Sequence, residues 1–308
     1  MRQCFPSSVI RILIIGMLTL TGCHFPQPVS EPMLPAVTLT STPAQPTPSI
    51  ETVTPTTTAT SVPSPTPVPP TFTPSHTPTP TWAYNEPGQV IAPILLYHHV
   101  DGETTDSRYR VSIPNFRDQI ATLHDHGYTA ITISMLVEAL TQGRDLPEKP
   151  IVITFDDGHM SVYEHAFPIM SEFGFPGVFY IVANRINNLT DFVNLEQMTE
   201  MVNAGWEIGS HGYTHQDITK NHASAAYEIG QSKLDLQSAL DIPINTFAYP
   251  YGEVNPFVAQ KVNDYGYRAG MGLGTSSTHT YNNLFYLSRI EIQGGYAFEQ
   301  FIKIVTKE

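Results

Sequence analysis

The chain has 308 residues and a formal net charge of −13 at pH 7, long enough for one sizeable core or two small ones. Composition separates these cases: 17 of the 27 prolines and 16 threonines fall between His24 and Pro87, a stretch without Lys or Arg that cannot assemble a packed core. From Gly88 onward 13 Lys and Arg stand against 25 Asp and Glu, a balance that repels phosphate backbones and sets aside nucleic acid and strongly anionic polymers as partners.

The N-terminus reads as an export signal. Arg2 and Arg11 flank the start, and residues 12–20 give an apolar run of signal-peptide length, too short to span a bilayer. The following Leu20-Thr21-Gly22-Cys23 resembles the bacterial lipobox, which implies a signal peptide over 1–22, a lipidated Cys23 and a protein anchored to a membrane of the cell envelope. The other cysteine, Cys4, would leave with the signal, so the exported domain would have no disulfide and no thiol metal ligand. The linker, 23–88, reads as an extended Pro/Thr-rich stalk, at most about 190 Å long at ~3.1 Å per residue.

The segment 89–308 reads as one folded domain, expected to be monomeric. Short apolar runs rich in Ile, Val and Phe predict strands at 91–98, 128–133, 151–155, 177–182, 206–210, 246–249, 267–271 and 285–290. Between them, Phe116, Ile120 and Leu123 mark one helix and Ile229, Leu236 and Leu240 another. Gly127 and Gly266 are positioned to end helices, and Pro256 to begin one. Seven or eight alternating units predict an α/β barrel, whose chemistry gathers at the C-terminal ends of its strands.

Polar residues at those ends form four groups. The run 151–155 stops at Asp156-Asp157-Gly158, two adjacent carboxylates whose repulsion calls for a cation. After 206–210 come His211 and His215, a spacing that on a helical turn would let both imidazoles bind one ion. Two histidines and one carboxylate leave positions open for water and substrate. Tyr249-Pro250-Tyr251-Gly252 forms an aromatic turn, and the tandem His98-His99 ends the first strand, where alternation sends one ring to each side.

Together these features resemble the polysaccharide deacetylases, the NodB-homology or family-four carbohydrate esterases, across residues 91–304. Thr154 to Gly158 reproduces the family's TFDDG. The resemblance implies a distorted (β/α)7 barrel, Asp156 as general base, and Asp157, His211 and His215 as ligands of a divalent metal, zinc first with cobalt or nickel as alternatives. Three departures matter. Gly212 stands where the family has Ser or Thr, and Ala248 where it has the arginine that orients the base; Arg289 is the candidate replacement. The family's C-terminal catalytic histidine is also missing, as in the poly-N-acetylglucosamine deacetylase branch, where a Tyr-His after the first strand supplies it. That assigns His98 as general acid, with His99 in a supporting, packing position and His159 lining the cleft. The Tyr251 N–H would face the oxyanion, and Tyr213, Tyr249 and Tyr251 are candidates to stack on sugar.

The implied reaction is hydrolytic N-deacetylation of an N-acetylglucosamine-containing polysaccharide, releasing acetate. The alternatives are an O-acetyl esterase of the acetylxylan type, a non-catalytic carbohydrate-binding relative, and a metal-dependent amidohydrolase of small amides.

Overall fold

The computed structural model describes residues 80–104, 107–187 and 190–306. The expected signal peptide, Cys23 and most of the linker lie outside these residues. Its centre is built from β-branched and aromatic runs: β1 (Ile94–Tyr97), β2 (Pro150–Phe155), β3 (Val178–Ile181), β4 (Glu207–Ser210), β5 (Thr246–Ala248), β6 (Ala269–Met271) and β7 (Ile290–Glu291). All pairings among them are parallel, in the order β6-β5-β4-β3-β2-β1-β7. Every residue of β1, β2, β3, β5 and β6 is buried, as expected of parallel strands with a filled interior on one face and helices on the other.

The ring closes just before β7. Leu287 bridges to Met271 in parallel, its N–H donating to Gly270 and its carbonyl accepting from Gly272, both at 2.9 Å. Residues 287–291 therefore join β6 on one side and β1 on the other, completing a seven-stranded (β/α)7-type barrel. Arg289 lies within the closing segment.

Helices follow from the periodicity and its caps. In α1 (Ile113–Asp125) the apolar stripe Phe116, Ile120 and Leu123 is buried, Ser112 caps the first turn, and Gly127 at φ 77° ends the last. Phe116 meets Tyr97 edge-on at 5.2 Å and Phe155 at 5.9 Å, seating α1 against β1 and β2. The helix from Pro256 to Asp264 likewise opens on an Asn255 cap with Pro at its start, and Gly266 follows its end at φ 76°. Among the described residues, no helix is long and apolar enough to cross a membrane.

Several sequence expectations are corrected. The predicted strand 91–98 is divided at Pro93, which offers no N–H; Gln89–Ile91 pairs instead with Thr278–Thr280. Of 128–133 only Thr129–Ala130 is strand, because Thr132 caps the helix Ile133–Gln142. The stretch 285–290 begins in a 3₁₀ segment, Tyr281–Tyr286, opened by a Thr280/Asn283 capping box. Trp82–Asn85, assigned to the linker, forms an antiparallel pair with Arg144–Pro147.

Candidate active site

Strand order determines which side chains meet. Asp156 follows β2, His98 follows β1, His211 follows β4, and all three line a cleft of about 350 Å³ together with Asp157, His215, Tyr251 and Arg289. Asp156 and Arg289 are both buried, at 2% and 1% exposure. Arg289 Nη1 donates to Asp156 Oδ1 at 2.7 Å and Nη2 to Oδ2 at 2.8 Å, a fork-to-fork pair. Nε also donates to the Gly272 carbonyl at 3.3 Å, and the guanidinium lies 5.4 Å from the Tyr180 ring. Burial pushes the Asp156 carboxyl upward, but Arg289, with His211 beside it, more than offsets that push, so the group is held below the usual carboxylate range. The carboxylate is thereby kept ionised in a site where an unpaired charge would be costly.

Asp157 turns the other way. Its φ of 74° and that of Gly158, 83°, place consecutive residues in left-handed backbone, and the Asp157 conformation costs an L-residue about 1–3 kcal/mol. The result aims Asp157 Oδ1 at His215 Nε2, 3.3 Å away, and at His211 Nε2, 3.9 Å away. The two histidine Nε2 atoms are 3.2 Å apart. His211 Nδ1 donates to the Ala248 carbonyl at 2.9 Å, which in the neutral ring leaves Nε2 as the acceptor turned toward the cluster. Asp157 Oδ1 is buried and has no hydrogen-bond partner among the described residues, although Arg185 Nη1 lies 3.5 Å from it. An orphaned carboxylate oxygen and an imidazole lone pair converging with a second imidazole make a donor set that fits a divalent ion.

The two histidines are not on a helical turn. Residues 211–215 form an irregular loop with Gly212 at φ 82° and His215 at φ 67°. Buried Glu228, in a π-helical turn Ala226–Gln231, holds the loop: its carboxylate accepts the N–H groups of Tyr213 and Thr214, each at 2.9 Å, and the Thr214 hydroxyl. A Cβ on Gly212 would stand 3.1 Å from Glu228 Oε2, so glycine is matched both to the backbone and to this clamp.

The tandem histidines separate. His98 lines the cleft, edge-on to Tyr109 at 4.9 Å. Burial pushes its pKa down, with Asp156 and Asp157 opposing. His99 leaves the cleft and stacks on His159 at 3.7 Å, its pKa pushed down to about 4 by burial. Tyr251 is 62% exposed, strained at φ 61°, with its ring 4.6 Å from His215. Tyr249 is a correction: it is fully buried, packed on Phe247, and donates its hydroxyl to the Phe285 carbonyl at 2.9 Å, so it cannot stack on a ligand. Tyr213 packs against Tyr227 at 4.2 Å, away from the cleft lining.

Sequence reasoning missed Glu228, Arg185 and the rim pair in which Arg108 Nε donates to Glu291 at 2.9 Å. For Glu228 a signal existed: it shares a helical stripe with Ala225, Ile229, Ser232 and Leu236, and a carboxylate on a buried face needs a partner.

Residues 143–270 match the family described as polysaccharide deacetylase, and the parallel seven-stranded barrel with a buried Asp-Arg pair beside an Asp-His-His cluster is in keeping with that match. Among curated relatives, the poly-β-1,6-N-acetyl-D-glucosamine N-deacetylase of Staphylococcus aureus (strain MRSA252) is 27% identical over 210 residues, which is 63% of this chain and 71% of that protein. The enzyme of the same name from Escherichia coli (strain K12) is 27% identical over 215 residues, 56% of this chain and about a third of that longer protein (32%). The Streptococcus pyogenes deacetylase PplD, solved with acetate, shares the fold with a TM-score of 0.64 at 24% identity, covering 74% of this chain and 99% of that one.

Proposed function

We propose that this domain removes N-acetyl groups from an N-acetylglucosamine-containing polysaccharide of the cell envelope or its surroundings, releasing acetate. The observation that carries the reading is Asp156: an ionised, buried carboxylate held by Arg289 at a cleft, 3.6 Å from His211 Nε2. The N-deacetylase names of the staphylococcal and E. coli relatives support the choice of substrate.

Asp157, His211 and His215 would hold the divalent ion, zinc in our reading, which when bound lowers the pKa of water and polarises a carbonyl. The chain's own groups do the rest. Asp156 accepts a proton from the attacking water as its oxygen bonds to the acetyl carbon. The Tyr251 N–H donates to the developing oxyanion. His98 gives a proton to the sugar nitrogen as the carbon–nitrogen bond breaks, leaving acetate and a free amine. Arg289 keeps Asp156 oriented and unprotonated between turnovers. Export and attachment to a membrane through Cys23 complete the proposal and rest on the lipobox resemblance.

The test is acetate release from a panel of β-1,6-linked N-acetylglucosamine oligomers, chitin oligomers, peptidoglycan and acetylated xylan. The β-1,6-linked oligomer should be hydrolysed fastest. Preference for acetylated xylan would replace the amide reading with an ester one.

A further inference from the structure

Two stretches that follow β3, residues 183–185 and 191–193, lie outside the Asp157, His211 and His215 cluster, yet they are hydrogen-bonded to both loops that carry it. The first is a short 3₁₀ turn, Ala183–Arg185. Its Ala183 N–H donates to the Gly212 carbonyl at 3.0 Å, and the Asn184 N–H donates to the Tyr213 carbonyl at 3.1 Å, both within the loop from His211 to His215. The second stretch meets the Asp157 turn. The Val193 N–H donates to the Gly158 carbonyl at 3.0 Å, and the Met160 N–H donates back to the Asp191 carbonyl at 2.8 Å. Arg185 Nη1 donates to the Asp157 carbonyl at 3.4 Å. Both carbonyls of the left-handed pair Asp157-Gly158 are therefore engaged by these stretches, and strained backbone persists only where its surroundings over-determine it.

The Asp157 side chain is bracketed as well. Arg185 Nη1 stands 3.5 Å from Oδ1, and His159 Nε2 stands 3.6 Å from Oδ2. At such separations neither group grips the carboxylate, so its aim depends on how firmly the two flanking groups are themselves held. One ring is common to both. The Arg185 guanidinium lies 4.7 Å from the centroid of half-buried Phe192, and the His159 ring stacks on Phe192 at 4.7 Å. An isolated backbone bridge between His159 and Phe192 fixes that stack in register.

We propose that residues 183–185 and 191–193 form a brace that sets the Asp157 carboxylate relative to His211 and His215. Phe192 is its positioning residue, acting through Arg185 and His159 on the affinity for a divalent ion. The proposal rests on the metal reading of the cluster and adds to it a side chain that touches neither ion nor substrate. Groups that orient metal ligands change affinity by about 10–100-fold. Phe192 works one contact further out, so the lower end of that range applies.

The experiment measures zinc affinity, by competition with a chromophoric chelator, for wild type, Phe192→Leu and Phe192→Tyr. Leucine keeps an apolar side chain without a ring face, whereas tyrosine keeps the face. Phe192→Leu should bind zinc about tenfold more weakly, and Phe192→Tyr should bind it as wild type does. Acetate release by Phe192→Leu should return toward the wild-type rate as zinc is raised, because mass action refills the site. Unchanged affinity in Phe192→Leu, an equal loss in Phe192→Tyr, or a rate that stays low at saturating zinc would overturn the assignment. If the wild type itself binds no zinc, the metal reading fails instead, and amide exchange decides the brace separately. The Val193 and Met160 amides should then exchange faster in Phe192→Leu than in wild type, and equal protection would overturn the brace.

Discussion

Asp156 and Arg289 are 133 positions apart in sequence and form one hydrogen-bonded unit. The pair is buried and doubly hydrogen-bonded, so removing one partner leaves an uncompensated charge, a loss of about 3–5 kcal/mol. Arg289→Ala should therefore lower both stability in urea and acetate release. Arg289→Lys, which keeps the charge but not the fork, should recover more stability than turnover. Unchanged turnover in Arg289→Ala would remove Arg289 from the catalytic account. The tandem histidines give a second contrast. His98→Ala should cut kcat by ~10²-fold or more, as loss of a general acid does, whereas His99→Ala should leave kcat much less affected; the reverse order in steady-state rates would reassign the acid. Arg289 was legible only indirectly, through the missing cation at Ala248. Tyr249 was misread because β5 and the residue after it are buried on both faces, so alternation does not say which ring enters the cleft.

Among the elements, strands and helices were legible where one face is apolar, and loops were not. Phe116, Ile120 and Leu123 marked α1 through simple periodicity. The spacing of His211 and His215 was readable as a ligand pair, yet its conformation was not, because a left-handed Gly212 and His215 leave no periodic trace. That loop owes its shape to Glu228, which answers three donors from 14 and 15 residues upstream. Glu228→Ala should weaken zinc binding by ~10–100-fold, the usual scale for groups that orient metal ligands. Zinc titration of the purified domain measures this directly, and an unchanged affinity would show that the loop holds itself. Arg108 and Arg185 escaped sequence reading because they reach the site from a turn and from a short 3₁₀ segment, which leave no periodic trace.

At the scale of the whole molecule, the proposed catalytic groups sit at the C-terminal ends of the strands, whereas the pair Trp82–Asn85 and Arg144–Pro147 leads into the N-terminal end of β2. Attachment through Cys23 predicts that Cys23→Ser moves the protein from the membrane to the soluble fraction on fractionation; retention in the membrane would count against lipidation.

The proposed pairing of one ion site with one base is read by a single titration. Protein stripped with a chelator and assayed on a β-1,6-linked N-acetylglucosamine oligomer should release no acetate and regain its rate at one equivalent of zinc. Asp156→Asn should bind that equivalent and still release acetate at less than about 1% of the wild-type rate, the scale for a lost general base. Undiminished acetate release from the stripped protein, or from Asp156→Asn, would contradict it.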